Sequence, residues 1–511
     1  MSGGVGITTR PARGLWAWLG APISGWWCVV GWAAATALFV TLVTHLGAIS
    51  GSDTFESVFS TWAIGHGQLA CAFPHGFRVT APLYPLLSGG IDGLSHIGRT
   101  VPFPSRSVLG PHCAGAFPAI NTWSLSTDAI GRTVEIGFLG WIALMAGVVA
   151  LLRSTGRGRC GWEPATLILV AAAAPVWTCL QSTFHPEDLL ALGLSLGAVA
   201  CARRGLWAAA GLLIGLAFLS QQYALLIGVP LLILAPVARR VSYACCAGLT
   251  VAVVAVPLIV ATSGSAAESI FMGTGTTGGV GGALVWELSL HGLPLLLLSR
   301  VAPLVLAGLT AWGTARRLGA RVLEPVPLLC VVALSLALRL VFEQQIFEYY
   351  FMALTVALIL LDVVRGRLRA ALVAWLLVVL TVFLYEIADL FEVADAIRVA
   401  VLVLAFTVLV WQVFRKVPFL TLTPWAALAA VSIVGWSSSF SAQPYIWFWQ
   451  IVLVAWGIAL AGGPLLSELR RHAAPVQGRH QDRDLALGTY HPQPVPRYHR
   501  GRALTTSGAP R

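Results

Sequence analysis

The chain has 511 residues, 57% of them hydrophobic and only 10% charged, with a formal net charge of +11. A soluble chain carries about a quarter charged residues, so too few remain here to coat a water-soluble globule, and lipid must be the solvent for most of the chain. A basic balance of this size suits nucleic acid in a soluble protein, but the distribution of the charges along this chain excludes that reading.

Apolar runs of roughly 17–25 residues cross a bilayer, and backbone groups cannot go unpaired in hydrocarbon, so each such run is expected to be helical. Residues 1–24 read as a cytoplasmic N-terminus carrying Arg10 and Arg13, and Gly25–Leu46 as a retained signal anchor, since no small-residue cleavage site follows the basic stretch. The next segment, 47–132, is the largest non-membrane piece and is too long for a simple connector. It carries Asp53, then an amphipathic stretch, Phe55–Leu69, that suits a helix lying on the membrane surface. A Pro-rich run, Ala81-Pro82-Leu83-Tyr84-Pro85, follows. Of nine cysteines only Cys71 and Cys113 fall in this loop. An oxidising compartment permits a disulfide between them, and spacing leaves paired and free states equally open. The other cysteines have no CxxC spacing and read as small apolar residues.

Six further runs follow in order: Thr133–Leu152, Pro164–Leu180, Pro186–Ala202, Gly205–Ser220, Gln222–Pro236 and Val241–Ala261. The pair Gly205–Ser220 and Gln222–Pro236 is short and nearly continuous, readable as one broken element or as two crossings. The loop Thr262–Leu290 is rich in Gly and Thr and is expected to be flexible. His291–Gly313, Val322–Val341, Ile346–Leu361, Ala370–Ile387, Ala394–Phe414, Pro418–Val434 and Tyr445–Leu460 bring the expected spans to fourteen. The expected organisation is thus an all-α polytopic bundle over 25–465 and a disordered, basic cytoplasmic tail over 466–511. No internal repeat is visible.

Lys and Arg mark the cytoplasmic side of a membrane protein. Alternate loops carry Arg153, Arg203/Arg204, Arg239/Arg240, Arg316/Arg317, Arg365 and Arg415/Lys416 with their neighbours, and 25 of the 32 basic residues fall on this one side. Only six of the 21 acidic residues join them. The unbroken alternation supports an even span count with both termini cytoplasmic in the plasma membrane. The basic charge is therefore topology and contact with anionic lipid, and no nucleic-acid partner is expected.

The opposite side collects ionisable residues near helix ends. Asp53 and Glu56 follow the first span, and Thr183-Phe184-His185-Pro186-Glu187-Asp188 opens the fourth. Glu343, Gln344, Gln345 and Glu348 join the ninth and tenth, and Glu386, Asp389, Glu392 and Asp395 the eleventh and twelfth. Carboxylates at bilayer depth are costly and often functional. Each has a bland reading: Asp53 as a helix cap, Glu187 and Asp188 as acids at a helix start with Pro186 at its first position, and the Glu386–Asp395 cluster as a solvated turn. His66, His75, His112 and His185 with Asp53 match no metal-ligand spacing. No Walker loop, nucleophile elbow or HExxH motif occurs. Arg300, Arg339 and Arg398 lie away from the cytoplasmic loops and need a partner there, either a carboxylate such as Glu343 or a lipid phosphate gripped by two parallel hydrogen bonds.

The layout resembles the GT-C superfamily of integral membrane glycosyltransferases, on an acidic residue after the first span (Asp53), a juxtamembrane amphipathic stretch (Phe55–Leu69) and a Pro-rich run (Tyr84-Pro85). A nearer resemblance is to the actinobacterial polyprenyl-phosphate-mannose-dependent mannosyltransferase family. It runs from Phe184-His185-Pro186-Glu187-Asp188 through Ala210-Gly211-Leu212-Leu213-Ile214-Gly215-Leu216-Ala217 to Gln221-Gln222-Tyr223-Ala224. Such relatives tend to have Lys where this chain has Gln221, a departure that weakens a phosphate contact at that position.

The resemblance implies transfer of a sugar, with mannose the first candidate, from a polyprenyl-phosphate donor to a lipid or glycan acceptor of the cell envelope. Asp53 is then the expected base for the acceptor hydroxyl, with Glu187 and Asp188 as further catalytic carboxylates beside an oxocarbenium-like sugar. His185, Arg300, Arg339, Gln221 and Gln222 are the expected contacts to the donor and its phosphate. The leaving phosphate needs Arg, His or a metal ion, so no cofactor is assigned and a divalent metal stays open. Three other readings are open: a multi-span transporter or lipid flippase, to which Arg300 and the Gln221/Gln222 pair are friendliest; a scaffold that recruits partners through its tail; and an inactive relative of the enzymes.

Overall fold

The computed structural model describes residues 52–73, 81–95, 127–156, 162–171, 185–272, 292–343, 348–366 and 461–472, with isolated positions at 173, 176, 179, 285, 288, 290, 457 and 458. Every regular element among the described residues is helical. The order is α1 (Ser52–Gly65), α2 (Leu83–Ser95), α3 (Thr127–Ser154), α4 (Trp162–Ala171), α5 (Pro186–Arg203), α6 (Trp207–Ser220), α7 (Leu225–Leu234) and α8 (Val237–Ala261). There follow α9 (Gly292–Leu296), α10 (Ala302–Leu318), α11 (Pro325–Phe342) and α12 (Phe351–Val364). Among the described residues, four stretches are long and apolar enough to cross a bilayer: Gly137–Ser154, Val237–Ala261, Gly292–Leu323 and Pro325–Phe342. The expected spans Gly25–Leu46, Ala370–Ile387, Ala394–Phe414 and Pro418–Val434 lie outside the described residues, as does Tyr445–Leu460 apart from 457–458.

One apolar core joins α3, α4, α5, α7, α11 and α12 through residues such as Trp141, Met145, Leu192, Leu329 and Leu354. In lipid there is no water-driven force between apolar helices, so close backbone approach and dispersion must hold them together. Gly147 and Gly193 supply that approach between α3 and α5, since a Cβ on either would overlap the other helix's backbone. The outward faces of α8 and α10 stay apolar and exposed, at Val241, Leu249, Val253, Val256, Leu309 and Trp312, which is the surface acyl chains would cover.

Between Trp207 and Leu234 the helix is interrupted, giving two shorter apolar helices. Gln221 takes an extended backbone (φ −158°, ψ 136°) that ends α6, and a short 3₁₀ turn over Gln222–Ala224 starts the return. The chain therefore folds back at the two glutamines. Arginines gather at the opposite end of the bundle, where Arg203 donates to the Ser154 hydroxyl at 2.9 Å and to the Leu323 carbonyl at 3.2 Å. Arg153 pairs with buried Glu163 there at 2.8 Å. The basic and acidic helix ends thus separate in space as they do along the sequence.

One element differs from expectation. The stretch expected to lie on the membrane surface is α1, and it is buried on all sides from Glu56 through Ala63. Its polar face is covered by α2, where the hydroxyls of Thr61 and Ser88 lie 2.9 Å apart, and Phe59 and Ala63 pack with Phe73, Leu258 and Ala266. Helix α2 itself begins inside the Pro-rich run. Proline reads as a helix breaker in the interior, but Pro85 stands in the first turn, where its missing N–H costs no hydrogen bond. Cys71 is disulfide-bonded, with its partner outside the described residues.

Candidate functional site

The end of the bundle away from the arginine loops holds a cavity of about 330 Å³. Its polar wall is His185, Asp188, Gln221, Arg300, Arg339 and Glu343, and its apolar wall includes Phe218, Phe271, Leu296, Val301 and Leu304. Phe271, Leu296 and Val301 are exposed, so the apolar wall runs out onto an apolar surface.

The polar wall is built from four helix ends. Pro186 starts α5 with a preset φ, so Glu187 and Asp188 fall in the first turn, where the helix dipole favours negative charge. Both are buried, as is His185. His185 Nδ1 lies 2.7 Å from Glu187 Oε1, and the imidazole stacks on Tyr349 with ring centroids 4.5 Å apart. Asp188 accepts a hydrogen bond from Gln221 Nε2 at 3.2 Å, and its carbonyl accepts one from the Tyr223 hydroxyl at 2.7 Å. The broken helix α6–α7 thereby holds the start of α5 from the other side.

Arg339 comes from the last turn of α11. Its guanidinium lies between two aromatic rings, 4.6 Å from the centroid of Tyr223 and 4.3 Å from that of Tyr350. It donates from Nε to Glu343 Oε2 at 3.3 Å, and its Nη1 stands 4.0 Å from Asp188 Oδ1. Two aromatic rings this close favour the cation and fix it in place, with its nitrogens turned to Glu343 and Asp188. Arg300 lies in a π-helical turn, Leu297–Val301, between α9 and α10, a distortion that often marks functional positions. It pairs with the other carboxylate oxygen of Glu343 at 3.5 Å.

Of the expected site residues, the structure brings His185, Asp188, Gln221, Arg300 and Arg339 together at this one wall, with Glu187 buried behind it against His185. Gln222 also lines the cavity, but its amide donates to the Ile270 carbonyl at 3.0 Å and braces the loop after α8. The backbone of Asp53 is in the first turn of α1, and its side chain lies outside what is described. His66 is held away from the site by a 2.8 Å contact from Nδ1 to its own helix at Trp62. His75, His112, Arg398 and the Glu386–Asp395 cluster lie outside the described residues. Sequence reasoning missed the three tyrosines, because aromatic residues at a membrane boundary already have an explanation as interfacial anchors.

In the sequence Tyr84 stands only as part of the Pro-rich run, with no site role of its own. This residue is fully buried at the start of α2, its hydroxyl finds no hydrogen-bond partner among the described residues, and burial followed by the charge of Glu187 pushes its phenol well above the usual pKa. An unpartnered buried hydroxyl costs about 1–3 kcal/mol. Tyr84→Phe is therefore expected to leave thermal stability unchanged or slightly raised. If the hydroxyl meets substrate, the same variant lowers turnover, and a thermal melt beside an activity assay separates the two roles.

His185, Glu187 and Asp188 each offer a ligand atom, all within 4.8 Å of one another. One imidazole and two buried carboxylates form a donor set that fits a divalent cation.

No family model matches the sequence, and no curated protein matches it. Among solved structures the chain is similar to ArnT from Cupriavidus metallidurans in the apo state, at 15% identity and a TM-score of 0.43, over 86% of this chain and 77% of that chain.

Proposed function

We propose that the protein is a membrane glycosyltransferase that takes a sugar from a polyprenyl-phosphate carrier, with mannose the first candidate, and passes it to a lipid or glycan acceptor on the extracytoplasmic face. The observation that carries the reading is the two-sided cavity, where paired arginines and buried carboxylates share one space with an apolar wall that opens onto an apolar surface. A phosphate with a sugar on one side and a long apolar chain on the other has this same division. The gathering of the arginine loops at the far end of the bundle supports an extracytoplasmic site under the positive-inside rule.

In this reading Arg339 and Arg300 meet the charge that develops on the leaving phosphate. The aromatic sandwich fixes the Arg339 plane before substrate arrives. Asp188 and Glu187 put negative charge beside the sugar ring as its anomeric carbon becomes electron-poor. Gln221 and the Tyr223 hydroxyl orient the first turn of α5, and His185 holds Glu187. A divalent cation, where one is used, would sit on His185, Glu187 and Asp188 and would add positive charge at the phosphate.

Asp53 is the proposed base for the acceptor hydroxyl. The assignment rests on the resemblance, which puts an acidic residue just after the first span. The test is reconstitution of wild type and Asp53→Asn in lipid with labelled polyprenyl-phosphate sugars and an envelope lipid extract. Transfer by wild type and a fall of roughly 10²–10⁴-fold in the variant is the expected result. Equal transfer by both removes Asp53 from the mechanism. Absence of transfer by wild type across a broad donor panel turns the reading toward a transporter or flippase, the second function that Arg300 in its π-helical turn would serve.

A further inference from the structure

We propose that Glu343 is a displaceable latch that occupies the phosphate seat between Arg300 and Arg339 and sets how tightly that seat takes a phosphate ester. The inference rests on the reading of the site as a lipid-phosphate seat. Among the described residues, the arginines and carboxylates lining the cavity number two of each, beside His185, so each arginine already has a carboxylate near it before any substrate enters. Glu343 spends one carboxylate oxygen on each arginine, at 3.5 Å to Arg300 and 3.3 Å to Arg339, which is the two-point contact a phosphate would make with the same pair. An incoming phosphate anion must therefore move a carboxylate off the arginines.

Of the two carboxylates, Glu343 is the one free to leave. Asp188 sits inside the first turn of α5 and accepts from Gln221. Arg339 is held between two rings. Glu343 stands just past the end of α11 with extended backbone (φ −70°, ψ 140°), so its side chain can swing without moving a helix. Its departure also uncouples the π-helical turn that carries Arg300 from α11, which gives that turn room to close on the phosphate.

The test is binding to purified full-length protein in phosphatidylcholine vesicles, with decyl phosphate, inorganic phosphate and decanol as probes. If the latch keeps about nine-tenths of molecules closed, its removal raises apparent affinity about tenfold. Glu343→Gln is expected to tighten decyl phosphate by that factor and to leave decanol unchanged. Glu343→Asp keeps the charge but is too short to span both arginines, so it is expected to give a smaller tightening and carries the test if Glu343→Gln does not fold. Tightening of decyl phosphate alone assigns the seat to a lipid headgroup, and equal tightening of inorganic phosphate assigns it to free phosphate; both support the latch. Unchanged or weakened binding in both variants overturns it. Arg339→Gln separates the premise from the latch: if that variant still binds decyl phosphate like wild type, the phosphate seat itself is wrong.

Discussion

Replacing Arg339 with glutamine is expected to lower sugar transfer roughly 10²–10³-fold, the usual cost of removing one preorganised group that meets developing negative charge. Arg339 is the point where every part of the site converges. It faces Asp188, bonds Glu343 and fills the space between Tyr223 and Tyr350. Its loss leaves two largely buried carboxylates short of a counter-charge, and breaking a buried pair from one side typically costs about 3–5 kcal/mol. A thermal melt must therefore accompany the assay. Arg339→Lys is the informative companion, because lysine restores the charge but has no flat edge to slide between two rings. Near-normal stability with a partial loss of transfer is expected for Lys. Wild-type transfer by Arg339→Gln would remove the arginine from the reaction and leave its aromatic sandwich as a purely structural feature.

Much of this site was legible as a set of residues before it was legible as a place. The segment from His185 to Asp188 stands out in sequence because three ionisable groups border an apolar run, and Arg300 and Arg339 stand out because cations at that depth need a partner. Glu343 stands out as one carboxylate that could partner them. What hydropathy does not encode is which helix ends meet. Tyr223 lies more than 100 residues from both Arg339 and Tyr350, and only the fold-back at Gln221 and Gln222 brings its ring against the guanidinium. The surface-helix expectation for Phe55–Leu69 failed for a related reason. The hydroxyls of Thr61 and Ser88 meet across two helices, and such pairing leaves no periodic trace in either one.

Asp188→Asn is expected to reduce transfer by roughly 10²–10⁴-fold while the protein stays folded. Asparagine keeps the shape of the side chain and still offers an oxygen to Gln221, so the hydrogen bond at 3.2 Å can survive where the charge does not. Two roles would produce the same loss. Asp188 either acts on the sugar directly or serves only to hold Arg339, whose Nη1 is 4.0 Å away. A double-mutant cycle with Arg339→Gln distinguishes them, since residues that act as one unit are strongly non-additive. If Asp188 only positions Arg339, the second substitution costs nothing further once the arginine is gone. If Asp188 stabilises positive charge on the ring, its loss still costs at least tenfold in the Arg339→Gln background. Wild-type turnover for Asp188→Asn alone would exclude both roles and leave the buried carboxylate at the start of α5 as a helix-dipole partner.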